Sequence, residues 1–332
     1  MDYNVYDEAV KVLFSGGNPY LHLITMPGPF NYPPTVFLFI SFLQNRLIFD
    51  ILSALAFFIS IFLLTNKKFF VSFFLFFVSL LIFFPYKFNV GMGQINNFIL
   101  LFVVLAYYYN PFFLAYAISI KLTPIIFLFY YFIKKDYKKI IIVLTLCLIL
   151  YAMSLIIVPF DFQKIYFLDV FWRAFGTGGK EVYYNQSLAG LLARSNTSFL
   201  FYPLTILLLF VTYIKGKKLK RERVFSAVTC LMLILNPIAW QHQFVFAIIP
   251  LILLFNLNKK LVLAAFFLLA WNFKQPDLVP KELSSHQFYG VFILWMLAIF
   301  GGKSTKLIGI IGTVGIIGVY LRFLICRGSF CF

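Results

Sequence analysis

Ten apolar runs recur along the chain, and no other feature limits its possible folds as much. They cover roughly residues 47–65, 69–85, 94–109, 111–133, 140–159, 198–214, 224–255, 261–271, 288–301 and 307–325. Stretches of about 17–25 apolar residues match a bilayer core of roughly 30 Å. The runs are continuously apolar, not alternating. That favours helices over a membrane barrel, because a helix satisfies its own backbone hydrogen bonds in lipid. Composition agrees. Of 332 residues, 62% are hydrophobic and 12% charged, against about 45–50% and about 25% in a soluble domain. The expected fold is all-α and multi-pass, with residues 1–332 forming a single transmembrane domain. No internal repeat is visible.

The formal charge of +17 does not indicate nucleic-acid binding, because the basic residues sit in short clusters between apolar runs. The clusters are Lys67-Lys68, Lys134 to Lys139, Lys215 to Arg223, Lys259-Lys260, and Lys303 with Lys306. These five linkers hold 16 of the 28 Lys and Arg residues and 2 of the 11 acids, leaving 12 basic and 9 acidic residues elsewhere. The positive-inside rule places the five linkers in the cytoplasm. Segments 1–46, 86–93, 160–197 and 272–287 then fall on the outer face of the cell membrane. The four cysteines, Cys147, Cys230, Cys326 and Cys331, form no disulfide framework and no metal-ligand spacing.

Two breaks interrupt apolar runs, at Lys121-Leu122-Thr123-Pro124 and at Asn236-Pro237. The 32-residue run 224–255 needs its break, being too long for one span. Run 111–133 must reverse at Pro124 to keep the alternation of faces. Half-helices joined by irregular backbone are tolerated in a bilayer only around protein or a wet cavity, so both breaks point to an outward-facing cavity. A simple proline kink is the plainer alternative. Segment 33–43 is apolar but short, and is read as a short or re-entrant helix on the outer side.

Polar residues mark candidate sites. The first 46 residues carry Asp2, Asp7 and Glu8, the stretch Gly16-Gly17-Asn18-Pro19-Tyr20, and Tyr32-Pro33-Pro34. A solvated tail is the ordinary fate of such a terminus. Against it stand the tyrosines and a helical apolar pattern at Val5, Ala9, Val10 and Leu13. Gln94 and Asn96 open one apolar run, Lys121 interrupts another, and Trp240-Gln241-His242-Gln243 follows the Asn-Pro break. Ionisable groups inside a span are functional candidates. Snorkelling is the alternative for Lys121, and a structural histidine the alternative for His242.

Taken together, these motifs resemble glycosyltransferase family 87. The stretches are Asp2-Tyr3-Asn4-Val5-Tyr6 with Ala9; Gly17-Asn18-Pro19-Tyr20 leading to Tyr32-Pro33-Pro34; Gly93-Gln94-Ile95-Asn96; Lys121-Leu122-Thr123-Pro124; Asn185-Gln186-Ser187-Leu188-Ala189-Gly190 with Arg194; and Asn236-Pro237 through Trp240 to His242. The resemblance implies a GT-C-like bundle of broken and half-length helices. It also implies a polyprenyl-phosphate-dependent transfer of a hexose, mannose in this family, to a lipid or glycan acceptor at the outer face, with inversion at the anomeric carbon. Asp2 occupies the position of the catalytic base. Lys121 and Arg194 are then candidates for the donor phosphate. Tyr6, Tyr32, Gln94, Asn96, Asn185, Gln186, Trp240 and His242 are candidates for the substrate. No metal site and no cofactor is implied.

Two features depart from the family pattern. Members carry a transmembrane helix ahead of the Asp motif, so that first helix is expected to be absent from the chain as written. Gln243 stands where the family often has a second histidine. The competing reading is a non-enzymatic transporter or flippase of a lipid-linked sugar. Such carriers show paired breaks in corresponding halves, and this sequence has no such symmetry.

Overall fold

The computed structural model describes residues 2–21, 30–172, 180–272 and 283–301. Run 307–325, the pair Lys303 and Lys306, Cys326 and Cys331 lie outside the described residues. Among those described, every regular element is a helix. The chain divides into two compact units, residues 1–178 and 179–332.

The first unit opens with α1 (Asp2–Phe14), which buries Tyr3, Val5, Tyr6, Ala9, Val10 and Leu13. Tyr3, Tyr6, Val10 and Leu13 recur every three or four residues and so form one face. The Tyr3 hydroxyl donates to the carbonyl of Leu43 (3.3 Å) and to that of Gln44. The Tyr3 ring lies 5.0 Å from the Arg46 guanidinium and meets Phe49 edge-on. The amino-terminal segment is therefore a docked helix and not a solvated tail.

Helix α2 (Arg46–Leu64) is capped by Asn45, whose side chain accepts from the Ile48 N–H. It buries Phe49, Ser53, Ala56, Phe57, Ser60, Ile61 and Leu64 along one stripe and exposes Leu47, Ile48, Ile51, Leu55 and Ile59. Small residues in the stripe let neighbouring backbones approach, as packing in lipid requires. The stripe faces α5 (Asn96–Tyr108) and α3 (Phe69–Ile82).

Beyond α3, residues 86–93, read from the sequence as an outer segment between apolar runs, fall mostly within a helix, α4 (Phe84–Met92), set at 74° to α3. Phe83 is extended, and Pro85 stands in the first turn of α4. A proline there costs no helical hydrogen bond, so a new helix starts instead of a loop. The expected break at 121–124 is present. Helix α6 (Phe112–Ile120) ends before an extended Lys121, and a 3-10 turn at Thr123–Ile126 leads into α7 (Phe127–Ile133). Both α6 and α7 pack on α8 (Tyr137–Ser154). Segment 33–43, read as a short or re-entrant helix, holds a 3-10 turn at Pro34–Val36 that runs into a short α-helix at Phe37–Ile40.

The second unit comprises α9 (Leu188–Arg194), α10 (Phe201–Gly216), α11 (Arg221–Leu235), α12 (Ile248–Leu253), α13 (Lys259–Ala270) and α14 (His286–Phe300). Residues Val224 to Ile234 of α11 are all buried, so this helix is the core of the unit. It packs on α10 and α14, and α13 packs on α14. Run 224–255 is divided at Asn236, which is extended ahead of Pro237; proline disfavours the helical conformation in the residue before it.

Among the described residues, three helices are long and apolar enough to cross a membrane, at Arg46–Leu64, Tyr137–Ser154 and Ser198–Gly216, and the bent pair α3–α4 makes a fourth if taken as one span. Several others are apolar but shorter, including Asn96–Tyr108 and His286–Phe300.

Candidate active site

Within the first unit, side chains from four separate stretches of sequence join in one hydrogen-bonded cluster. Helix α4 ends at Gly93 in the left-handed conformation (φ +67°). Glycine adopts it without strain. The tight turn is closed by the Gln94 N–H donating to the Asn89 carbonyl at 2.9 Å, which turns the Gln94 side chain toward α1.

There the Gln94 amide donates to the Asp2 carboxylate. Its oxygen lies 3.1 Å from both the Tyr6 and the Tyr32 hydroxyl, and these two hydroxyls are 2.7 Å apart. On the neighbouring side, Lys121 Nζ donates to Asn96 Oδ1 at 3.0 Å, and Asn96 Nδ2 donates to Asn89 Oδ1 at 2.9 Å. The Asn89 amide lies 3.4 Å from the Gln94 carbonyl, and Lys121 sits 5.8 Å from the Tyr32 ring centroid. The Thr35 hydroxyl donates to the Ser119 carbonyl, tying the Tyr32 loop to the end of α6 just ahead of Lys121.

Burial raises the Asp2 carboxyl above its ordinary range, and the charge of Lys121 opposes that rise. Of the other early acids, Asp7 is paired at the surface with Lys11 at 2.7 Å. A narrow crevice bounded by Tyr3, Tyr6, Asp7, Ile40 and Phe49 opens beside the cluster. The first unit thus brings together Asp2, Tyr6, Tyr32, Gln94, Asn96 and Lys121. Asn89, which sequence reasoning passed over, links two of them. Its signal was a lone amide inside the stretch read as a linker.

The remaining candidates lie in the second unit and are held differently. Asn185 is fully buried. Its amide donates to the carbonyls of Lys180 (3.1 Å) and Pro237 (3.0 Å), and its oxygen accepts from the Ser187 hydroxyl and the Ala239 N–H. Gln186 donates to the carbonyls of Tyr183 and Ser284 and accepts from the Gln287 N–H. The Arg194 guanidinium donates to Ser285 Oγ (2.6 Å) and to the Val182 carbonyl (2.9 Å). Burial pushes its pKa down to about 10, which leaves it protonated at neutral pH.

These three residues fasten the 180–187 segment to the Asn-Pro turn and to the start of α14. Tyr184 and Ser285 are the partners the sequence reading missed. Tyr184 stacks on Trp240 with ring centroids 6.2 Å apart, and both rings are partly open to the surface. His242 is buried with its ring 6.2 Å from Trp240. Gln243, at the family's second-histidine position, accepts from the Asn236 amide at 2.8 Å. Among the described residues, no three His, Cys, Asp or Glu side chains are grouped to hold a metal ion.

Comparison with known proteins returned no match to a curated protein or to a solved structure. The sequence model of glycosyltransferase family 87 matches residues 30–237, a span that contains Tyr32, Gln94, Asn96, Lys121, Asn185, Gln186 and Arg194. Asp2 and Tyr6 precede it, and Trp240 and His242 follow it. Because the match covers more than half of the chain, and the apolar helices fit a membrane protein, the chain belongs to glycosyltransferase family 87, enzymes that transfer sugars.

Proposed function

We propose that this membrane glycosyltransferase moves a hexose, mannose by family resemblance, from a polyprenyl-phosphate donor to a lipid or glycan acceptor. The transfer takes place at the extracytoplasmic face of the cell membrane, within a GT-C-like bundle open to that side. The observation that carries the reading is the joining of Asp2 and Lys121, both half-buried, in one hydrogen-bonded cluster. Transfer from a lipid phosphate needs a carboxylate to take the acceptor proton and a cation for the departing phosphate.

In this reading the acceptor oxygen attacks the anomeric carbon as its proton passes to Asp2. The bond from that carbon to the phosphate oxygen breaks, and its electron pair leaves with polyprenyl phosphate. One displacement inverts the anomeric centre. Lys121 carries the phosphate charge and Asn96 holds its ammonium group in place. In the second unit, Asn185, Gln186 and Arg194 hold the segment that carries the partly exposed Tyr184–Trp240 stack, because their polar atoms are engaged by backbone carbonyls, N–H groups and Ser285.

The test is transfer of labelled mannose from polyprenyl-phosphate-mannose in proteoliposomes. Asp2→Asn keeps the side-chain shape but cannot accept the proton, so transfer should fall by about 100-fold or more while donor binding persists. Asp7→Asn should stay near the unmodified rate. Retained activity in Asp2→Asn, or an equal loss in Asp7→Asn, overturns the assignment.

A further inference from the structure

We propose that Gln94 is a positioning residue that holds the Asp2 carboxylate for proton acceptance, and that Tyr6 and Tyr32 fix Gln94 instead of contacting the sugar. This rests on Asp2 being the base, and it changes the role of three residues that the family resemblance assigns to the substrate.

The argument begins with hydrogen-bond capacity. Two phenolic protons serve three contacts, from each tyrosine to Gln94 Oε1 and between the tyrosines. Each hydroxyl has one proton. If one tyrosine donates to the other, the second donates to Oε1. If neither does, both donate to Oε1. The amide oxygen therefore receives at least one proton in every arrangement. Its Nε2 faces Asp2, and an ionised carboxylate only accepts. Flipping the amide would set an oxygen against that carboxylate and lose both interactions.

The Gln94 backbone is fixed as well, by Asn89 at its N–H and at its carbonyl. Gln94 and Tyr6 are both buried, so water does not compete for these groups. On Asp2 the contact falls on Oδ2. Among the described residues no hydrogen bond reaches Oδ1, which is the oxygen left for an acceptor hydroxyl. One oxygen is anchored and the other is presented. A donor on the carboxylate also favours its ionised form, so Gln94 sets the direction of the base and acts with the charge of Lys121 against the burial that raises it.

The test compares Gln94→Met, Gln94→Glu and the double variant Tyr6→Phe/Tyr32→Phe with the unmodified enzyme in proteoliposomes, reading kcat, donor KM and the pH profile of kcat/KM. Gln94→Met should lower kcat by about 10- to 100-fold, the loss expected for a hydrogen bond to a charged group, with little change in donor KM. Its acid limb should move to higher pH. Gln94→Glu keeps the tyrosine contacts but sets two carboxylates together, so one must hold a proton. Its acid limb should rise by about one unit or more, and activity should return as the pH is raised. The tyrosine double variant should lower kcat and leave donor KM in place.

An acid limb that stays put in both Gln94 variants, or a raised donor KM in place of a lowered kcat, overturns the proposal and returns Gln94 to the substrate. Loss of folded protein in Gln94→Met leaves Gln94→Glu and the tyrosine variant to decide. Asp2→Asn is run alongside. If it is inactive while the Gln94 limb does not move, only the positioning role fails. If it is active, the base assignment fails and the positioning role falls with it.

Discussion

Lys121 combines two effects that one substitution separates from its shape. Its ammonium group is held by Asn96, and its charge opposes the burial that lifts the Asp2 carboxyl. The sign follows from that. A base works only when ionised, so activity is lost as pH falls through the Asp2 pKa. That loss sets in at a higher pH than for an exposed carboxyl. Lys121→Ala removes the opposing charge, lifts Asp2 further, and should move the acid limb of kcat/KM to higher pH. It should also weaken use of the lipid-phosphate donor. Lys121→Arg keeps the charge and should do much less of both. A pH–rate series on the two variants, with donor KM at each pH, checks this. If Lys121→Ala leaves both unchanged, the phosphate role is lost and the snorkelling alternative stands.

At the scale of elements, the α4–α5 turn sets the geometry of the cluster. A Cβ at Gly93 would run into the Arg46 guanidinium and the Tyr3 Cβ, and the backbone there is left-handed. Gly93→Ala should cost about 1–2 kcal/mol from the backbone alone, plus the displacement of α1, and should lower transfer by misplacing Gln94. Gly91→Ala is the control. It lies inside α4, its Cβ would meet open space, and alanine is preferred there by about 0.5–1 kcal/mol. Thermal unfolding in detergent separates the two.

How much of this was legible in sequence differs from element to element. Apolar runs foretold α2, α8 and the helix at 198–216, because length in lipid leaves few options. Asn236-Pro237 foretold its break, because proline restricts the residue before it. Helix α4 was not legible. Its polar residues Tyr86, Lys87 and Asn89 look like a linker, and only the 74° bend, which buries Tyr86 and Asn89 and leaves Lys87 exposed, makes them part of a packed helix. The partners of Arg194 were not legible either, since Ser285 lies 91 residues away and nothing local announces the pair.

For the molecule as a whole, the basic linkers carry the topology. The linkers at 134–139 and 215–223 are proposed to be cytoplasmic, and segment 160–197 to be outside. In a background freed of reactive native cysteines, an impermeant thiol reagent added outside should label Lys180→Cys and spare Lys217→Cys. The opposite labelling would invert the topology and move the proposed chemistry to the cytoplasm. Helix α3 has a consequence of another kind. Phe69, Phe70, Phe73, Phe74 and Phe77 are all exposed, Phe70 at 87%. Five aromatic rings crowded on nine residues form a surface that water does not tolerate and that other chains would bind. For this protein, meeting lipid is therefore part of biogenesis itself: translated where no bilayer or detergent is at hand, the chain should precipitate from this helix outward.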